Sequence, residues 1–194
     1  MLENLKKYRI ILASNSPRRQ ELLSLMDVKF DSIVRKGVDE NYPKGLKTKD
    51  VPEYLARKKA EAYKDLLADP NTLIITADTI VILDKEIIGK PQNQEGAKEL
   101  LMKLQGRSHR VISGVAITTA EKQVSFSVKT KVLMRPMDED IINYYVKHYK
   151  PTDKAGAYGI QEWIGAIGIG HIEGSFQNVM GLPTQRLFVE LCNF

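Results

Sequence analysis

Leu12-Ala13-Ser14-Asn15-Ser16-Pro17-Arg18-Arg19 joins two different patterns. Before it, Ile10 to Ala13 is an apolar run that reads as a strand. After it, Leu22, Leu25 and Met26 recur at helical spacing. Ser16 suits the N-cap and Pro17 the first helical position. Arg18 and Arg19 then fall in the first turn, at the positive end of the helix dipole, where a cation is disfavoured by roughly 0.3–1 kcal/mol. Two arginines, free backbone N–H groups and two serines together make a place for an anion; two merely solvated arginines are the alternative.

The rest of the chain is read outward from this junction. Its 194 residues suit one domain over 1–194 with a proper core, and 43% hydrophobic with 27% charged residues fits a soluble globular protein. No apolar run reaches the roughly 18 residues of a membrane span. Met1 to Arg9 is charged and lacks a signal-peptide core, and the single cysteine, Cys192, excludes an internal disulfide framework. These features predict a cytoplasmic protein without a membrane partner. The net charge of +5 permits a polyanionic partner. No dense Lys/Arg run with interleaved aromatics occurs, so nucleotide phosphate is favoured over nucleic acid.

In chain order, a strand at 8–13 leads to a helix at 17–26 and a short strand at 30–34. Arg35 to Lys49 is a long polar loop holding Asp39-Glu40. Asp50 is read as the cap of a helix over 51–67, on which Val51, Leu55, Ala62 and Leu66 share a stripe. Lys59 lies on or beside that buried face and must snorkel or meet an anion; Lys58 is expected to be exposed. Leu73 to Ala77 is an apolar run that ends in Asp78-Thr79 and resumes as Ile80 to Leu83. An ionised carboxylate between two such runs needs a partner or a metal. Gly89-Lys90-Pro91 holds its lysine in constrained backbone. A helix over 94–105, a long hairpin from Val111 to Met134 and a helix from Asp138 to about 149 follow. Seven of the 13 glycines then fall between Gly156 and Gly181. Strands are read near 166–172 and 177–179, and a last helix after Pro183. No HExxH, CxxC, GxSxG or Walker lysine motif is present.

Ser14, Arg18, Arg19, Lys59 and Lys90 offer donors and positive charge, and Glu40 and Asp78 offer hard oxygen ligands. That mixture suits a triphosphate held with a divalent cation. The opening stretch, Ala77-Asp78-Thr79, Gly89-Lys90-Pro91, the run from Asp153 to Gln161 (DKAGAYGIQ) and Val179-Met180-Gly181-Leu182-Pro183 resemble, in order and over nearly the whole chain, the motifs of the Maf family of nucleotide pyrophosphatases. The resemblance implies an α/β fold around an elongated, twisted mixed sheet flanked by helices, similar to inosine-triphosphate pyrophosphatases. It implies cleavage of a nucleoside triphosphate to monophosphate and pyrophosphate with Mg²⁺ or Mn²⁺, and a homodimer.

Arg18, Lys59 and Gln161 match the positions that mark the family branch acting on dTTP and UTP; an amide at Gln161 offers a donor and an acceptor to a pyrimidine edge. The resemblance puts Asp78 on the attacking water or on the metal, with Glu40, or its neighbour Asp39, as a second metal ligand. Ser14, Arg18, Arg19, Lys59 and Lys90 are expected on the phosphates. Three alternatives stay open: the same chemistry on 7-methyl-GTP, a nucleotide-binding regulator of cell division without turnover, and a nucleic-acid-binding protein, suggested only by the basic pI.

Overall fold

The computed structural model describes residues 2–194. Seven strands form one mixed sheet in the order β2-β1-β3-β5-β6-β7, with β4 paired to β3. They are β1 (Arg9–Leu12), β2 (Asp31–Ser32), β3 (Thr72–Leu83), β4 (Glu86–Ile88), β5 (Ser108–Thr118), β6 (Gln123–Met134) and β7 (Ile169–Glu173). The helices are α1 (Pro17–Ser24), α2 (Val51–Glu61), α3 (Gln94–Leu104), α4 (Glu139–Tyr149), α5 (Trp163–Gly168), α6 (Phe176–Met180) and α7 (Thr184–Cys192). This is the mixed, helix-flanked sheet expected from the sequence. Among the described residues no helix is long and apolar enough to cross a membrane.

The residues group into two compact units. The first comprises the chain up to Asp78, Ser113–Val128 and Gly181–Phe194. In it β1 runs parallel to both β2 and β3, with Leu12 beside Ile75. The strand core is fully apolar: Ile11, Leu12, Leu73, Ile74 and Ile75 are buried. Such two-sided burial is what a parallel strand covered by helices requires. Helix α2 rests on this sheet through two close contacts. Thr76 Oγ1 donates to the Ala56 carbonyl at 2.6 Å inside the core. Gly114 on β5 lies against the first turn of α2, where a Cβ would stand 2.2 Å from the Pro52 and Glu53 backbone.

The second unit comprises Thr79–Ile112 and Lys129–Met180. Helices α3 and α4 pack on each other. They bury Ala97, Leu101 and Leu104 from α3, and Ile142, Tyr145 and Val146 from α4. Asn93 caps α3, its side chain accepting from Gly96 N–H at 2.9 Å.

Several local expectations are corrected. Residues 72–83 form one continuous strand, not two runs broken at Asp78, and Lys59 pairs with the carboxylate inside it. Helix α1 ends at Ser24, and α2 ends at Glu61 with a separate 3₁₀ turn at Lys64–Ala68. Buried Tyr63 lies at that break, its hydroxyl accepting from Arg35 N–H at 3.0 Å. Ser16, Asp50 and Asp138 stand before helices, yet none makes a side-chain cap bond. The strand read near 166–172 is helix α5 followed by β7. Gly165, with no Cβ, nests on the Ile160 carbonyl (a Cβ would stand 1.8 Å from it), and Ala166 N–H closes a helical turn to the Glu162 carbonyl. Residues 177–179 are likewise helical, in α6, where Ser175 Oγ accepts from Asn178 N–H at 3.1 Å. A glycine-rich apolar segment matches a strand by composition, but these backbone approaches close helical turns.

Candidate active site

The junction at 12–19 places its groups just past the carboxyl end of β1. Ala13 N–H donates to the Ile75 carbonyl at 2.9 Å, so Ser14 follows β1 beside the stretch of β3 that leads to Asp78. Ligands of open α/β sheets bind at such strand ends. Buried Ser14 accepts at its Oγ from Ser16 N–H at 3.2 Å and from Arg19 Nη1 at 3.4 Å. Arg19 Nε also donates to the Gly181 carbonyl at 2.9 Å, which ties α1 to the segment before α7. Burial holds the Arg19 guanidinium below its ordinary pKa; Asp78 and Glu40 act against that and Arg18 with it. The four charges therefore belong to one local field. An arginine so placed remains protonated and seeks an anion.

Lys59 comes from the last turn of α2, where the helix dipole favours a cation. Its Nζ lies 2.6 Å from Asp78 Oδ1 and 2.8 Å from Glu40 Oε1. The Lys59 and Asp78 side chains are only 16% and 14% exposed, whereas Glu40 is 65% exposed, so the loop acid is the one open to solvent. Lys58, expected to be exposed, is instead half-buried and bonded to Asp39 Oδ2 and the Asn41 carbonyl, each at 2.6 Å. That bond and the Asn41 N–H hold the Asp39 carboxyl below the usual carboxylate range. Adjacent lysines thus grip adjacent acids. The grip turns Asp39 away from Asp78 and Glu40 toward it.

Ser14, Arg18, Arg19, Glu40, Lys59 and Asp78 all belong to the first unit. Lys90 and Gln161 belong to the second, and both are exposed. There Gly156 N–H donates to the Gly89 carbonyl at 3.1 Å, joining the Lys90 tripeptide to the glycine-rich run. Gly156 (φ +73°) and Ala157 (φ +58°) are both left-handed. Such backbone costs Ala157 about 1 kcal/mol and is held by its surroundings. Composition alone did not single out the groups that hold this run. Lys154, almost fully buried, bonds Asp153 Oδ1 at 2.7 Å and Glu162 Oε1 at 3.0 Å. The Tyr145 hydroxyl donates to Glu162 Oε2 and accepts from Gly159 N–H at 3.2 Å. Burial, then the Glu162 bond, pushes the Tyr145 phenol well up, so it keeps its proton. The detectable signal was the Asp153-Lys154 pair at the head of the glycine-rich run, since a lysine there must be paired if buried.

Among the described residues no three His, Cys, Asp or Glu side chains converge. Two carboxylates sharing one ammonium are nevertheless a fitting donor set for a hard cation. Mg²⁺ is commonly held by one or two carboxylates together with substrate phosphates and water.

Paired carboxylates and clustered cations beside the end of β1 make up the candidate site of this α/β protein. The chain belongs to the Maf family, described as Maf-like protein, which it matches over residues 9–194. It is 54% identical over 191 residues to the dTTP/UTP pyrophosphatase of Phocaeicola vulgatus, covering 98% of each chain. It is 54% identical over 194 residues to that of Parabacteroides distasonis, covering 100% of each. The Porphyromonas gingivalis protein of the same name is 51% identical over 196 residues, covering 100% of this chain and 98% of its own. Among solved structures, a HAM1 protein from Coxiella burnetii aligns with a TM-score of 0.43 at 16% identity, over 66% of this chain and 73% of that one.

Proposed function

We propose that this chain is a cytoplasmic nucleoside triphosphate pyrophosphatase that hydrolyses dTTP and UTP to the monophosphate and pyrophosphate. The observation that carries this reading is Lys59 bonded to both Asp78 and Glu40 in the charge field of Arg19. Full-length relatives bearing the dTTP/UTP pyrophosphatase name supply the substrate class.

In this reading water attacks the α-phosphorus and the bond to the bridging α–β oxygen breaks. Asp78 orients the water and accepts its proton, a task that typically contributes 10²–10⁴-fold. Arg18, Arg19, Lys59 and Lys90 share the triphosphate and stabilise the charge gathering on departing pyrophosphate. Ser14 Oγ and the backbone N–H groups entering α1 add donors for phosphate oxygens. Glu40 and Asp78 would hold Mg²⁺ or Mn²⁺, which when bound neutralises phosphate charge. The Gln161 amide reads the pyrimidine edge. The homodimer belongs to the same proposal and is tested by sedimentation of the intact chain.

Pyrophosphate release from purified protein with Mg²⁺ or Mn²⁺ tests the activity. The panel holds dTTP, UTP, CTP, 7-methyl-GTP, ITP and the standard purine triphosphates. Turnover of dTTP and UTP with little on purines is expected; turnover mainly of 7-methyl-GTP discards the account of the base site. Gln161→Ala is expected to reduce the preference for UTP more than the rate of hydrolysis. An unchanged preference removes Gln161 from base selection.

A further inference from the structure

The Lys59 ammonium already bonds both carboxylates that a divalent cation would take. A divalent cation on the same two carboxylates stands within a few ångströms of this ammonium, and their mutual repulsion favours the lysine's departure. We propose that Lys59 is an exchangeable internal counter-ion: it occupies the carboxylate pair until phosphate draws it away, and only then is the pair open to metal. This rests on the metal site of the reading above and adds an order of events to it.

Two further features fit such an exchange. First, Lys59 extends from the last turn of a helix on a long, flexible stem, and the two acids it holds also act on Arg19, so all four groups share one charge cluster. Second, Glu40 keeps its place when Lys59 leaves, because its loop has a separate anchor. Lys58 bonds Asp39 and the Asn41 carbonyl, and Asp39 Oδ1 accepts from Asn41 N–H at 2.8 Å. One lysine holds the loop and its neighbour holds the site. Metal and nucleotide then promote each other's binding, since each relieves a cost the other would bear. Without nucleotide, the pair stays neutralised and weak for metal.

The test is Mn²⁺ binding to the intact protein without nucleotide, followed by electron paramagnetic resonance of free Mn²⁺. Lys59→Met is expected to bind Mn²⁺ about tenfold tighter than wild type, equivalent to about 1.4 kcal/mol. Lys58→Met is expected to bind it more weakly, because Glu40 loses its anchor. The opposed signs matter: simple removal of positive charge would tighten both. Equal tightening in the two variants, or no tightening in Lys59→Met, overturns the proposal. Lys59→Gln, which keeps a donor for one carboxylate, serves if the methionine variant fails to fold, and the same direction is required of it. Wild-type pyrophosphate release is measured independently, so loss of this inference leaves the proposed activity to stand or fall on its own assay.

Discussion

Asp78 lies inside a twelve-residue, largely buried strand, a position where an ionised carboxylate costs several kcal/mol unless it is paired. Its compensation comes from Lys59, nineteen positions earlier in the chain. Such a pair is weak evidence for stability, because the attraction repays desolvation. Its value lies in holding an acid, charged and nearly dry, beside arginines. Asp78→Asn keeps the shape and can still accept from Lys59 through its amide oxygen. It is expected to retain the fold and nucleotide binding while turnover of UTP falls by about 10²–10⁴-fold. Near-wild-type turnover would remove Asp78 from the chemistry. Asp78 and Lys59 were both legible in sequence as charges on faces that should be apolar. Lys58 was not: its angular position on α2 suggested exposure, and only the fold of the 35–49 loop brought Asp39 to it.

At the scale of elements, α2 carries the lysine pair and its placement governs the site. Gly114 is what lets that helix approach the sheet. Any side chain there meets backbone, not a movable side-chain end, at 2.2 Å. Gly114→Ala is expected to destabilise the protein by about 1–3 kcal/mol through overpacking. It should also lower pyrophosphate release beyond what the unfolded fraction explains, because Lys59 moves with α2. Urea unfolding together with activity of the folded fraction checks both, and an unchanged urea midpoint would show that α2 tolerates the displacement. The helices read at 94–105, from Asp138 to about 149 and after Pro183, and the hairpin read from Val111 to Met134, correspond to α3, α4, α7 and β5–β6. The errors cluster between Gly159 and Met180. There, apolar glycine-rich sequence lacks a decisive period, and the outcome depends on which backbone each glycine rests against.

For the whole molecule, acid sensitivity follows from one buried ring in the second unit. His109 is 2% exposed, its Nε2 lies 2.6 Å from the Tyr158 hydroxyl, and its Nδ1 has no hydrogen-bond partner among the described residues. Burial holds its pKa down, at about 4. In the unfolded chain it titrates near 6.5. Between those values the unfolded state carries the extra proton. The contribution of His109 to stability is therefore complete above about pH 6.5 and is lost as pH drops toward 4, by up to about 3 kcal/mol. His109→Phe should flatten the pH dependence of the urea midpoint in that window, whatever its effect on the absolute midpoint; an undiminished slope would assign the acid loss to other groups. Sequence alone carried the order of strands and helices as far as about residue 149, the strand-to-helix junction at 12–19 and the family motifs. Those are local properties: period, turn residues and charges set within apolar runs. Only the tertiary structure chose Glu40 over Asp39 as the acid facing Asp78, bound Arg19 to Gly181, and pinned Glu162 with Lys154 and Tyr145. Those choices join groups up to 162 positions apart, and they depend on the packing of loops and helices, which no local pattern encodes.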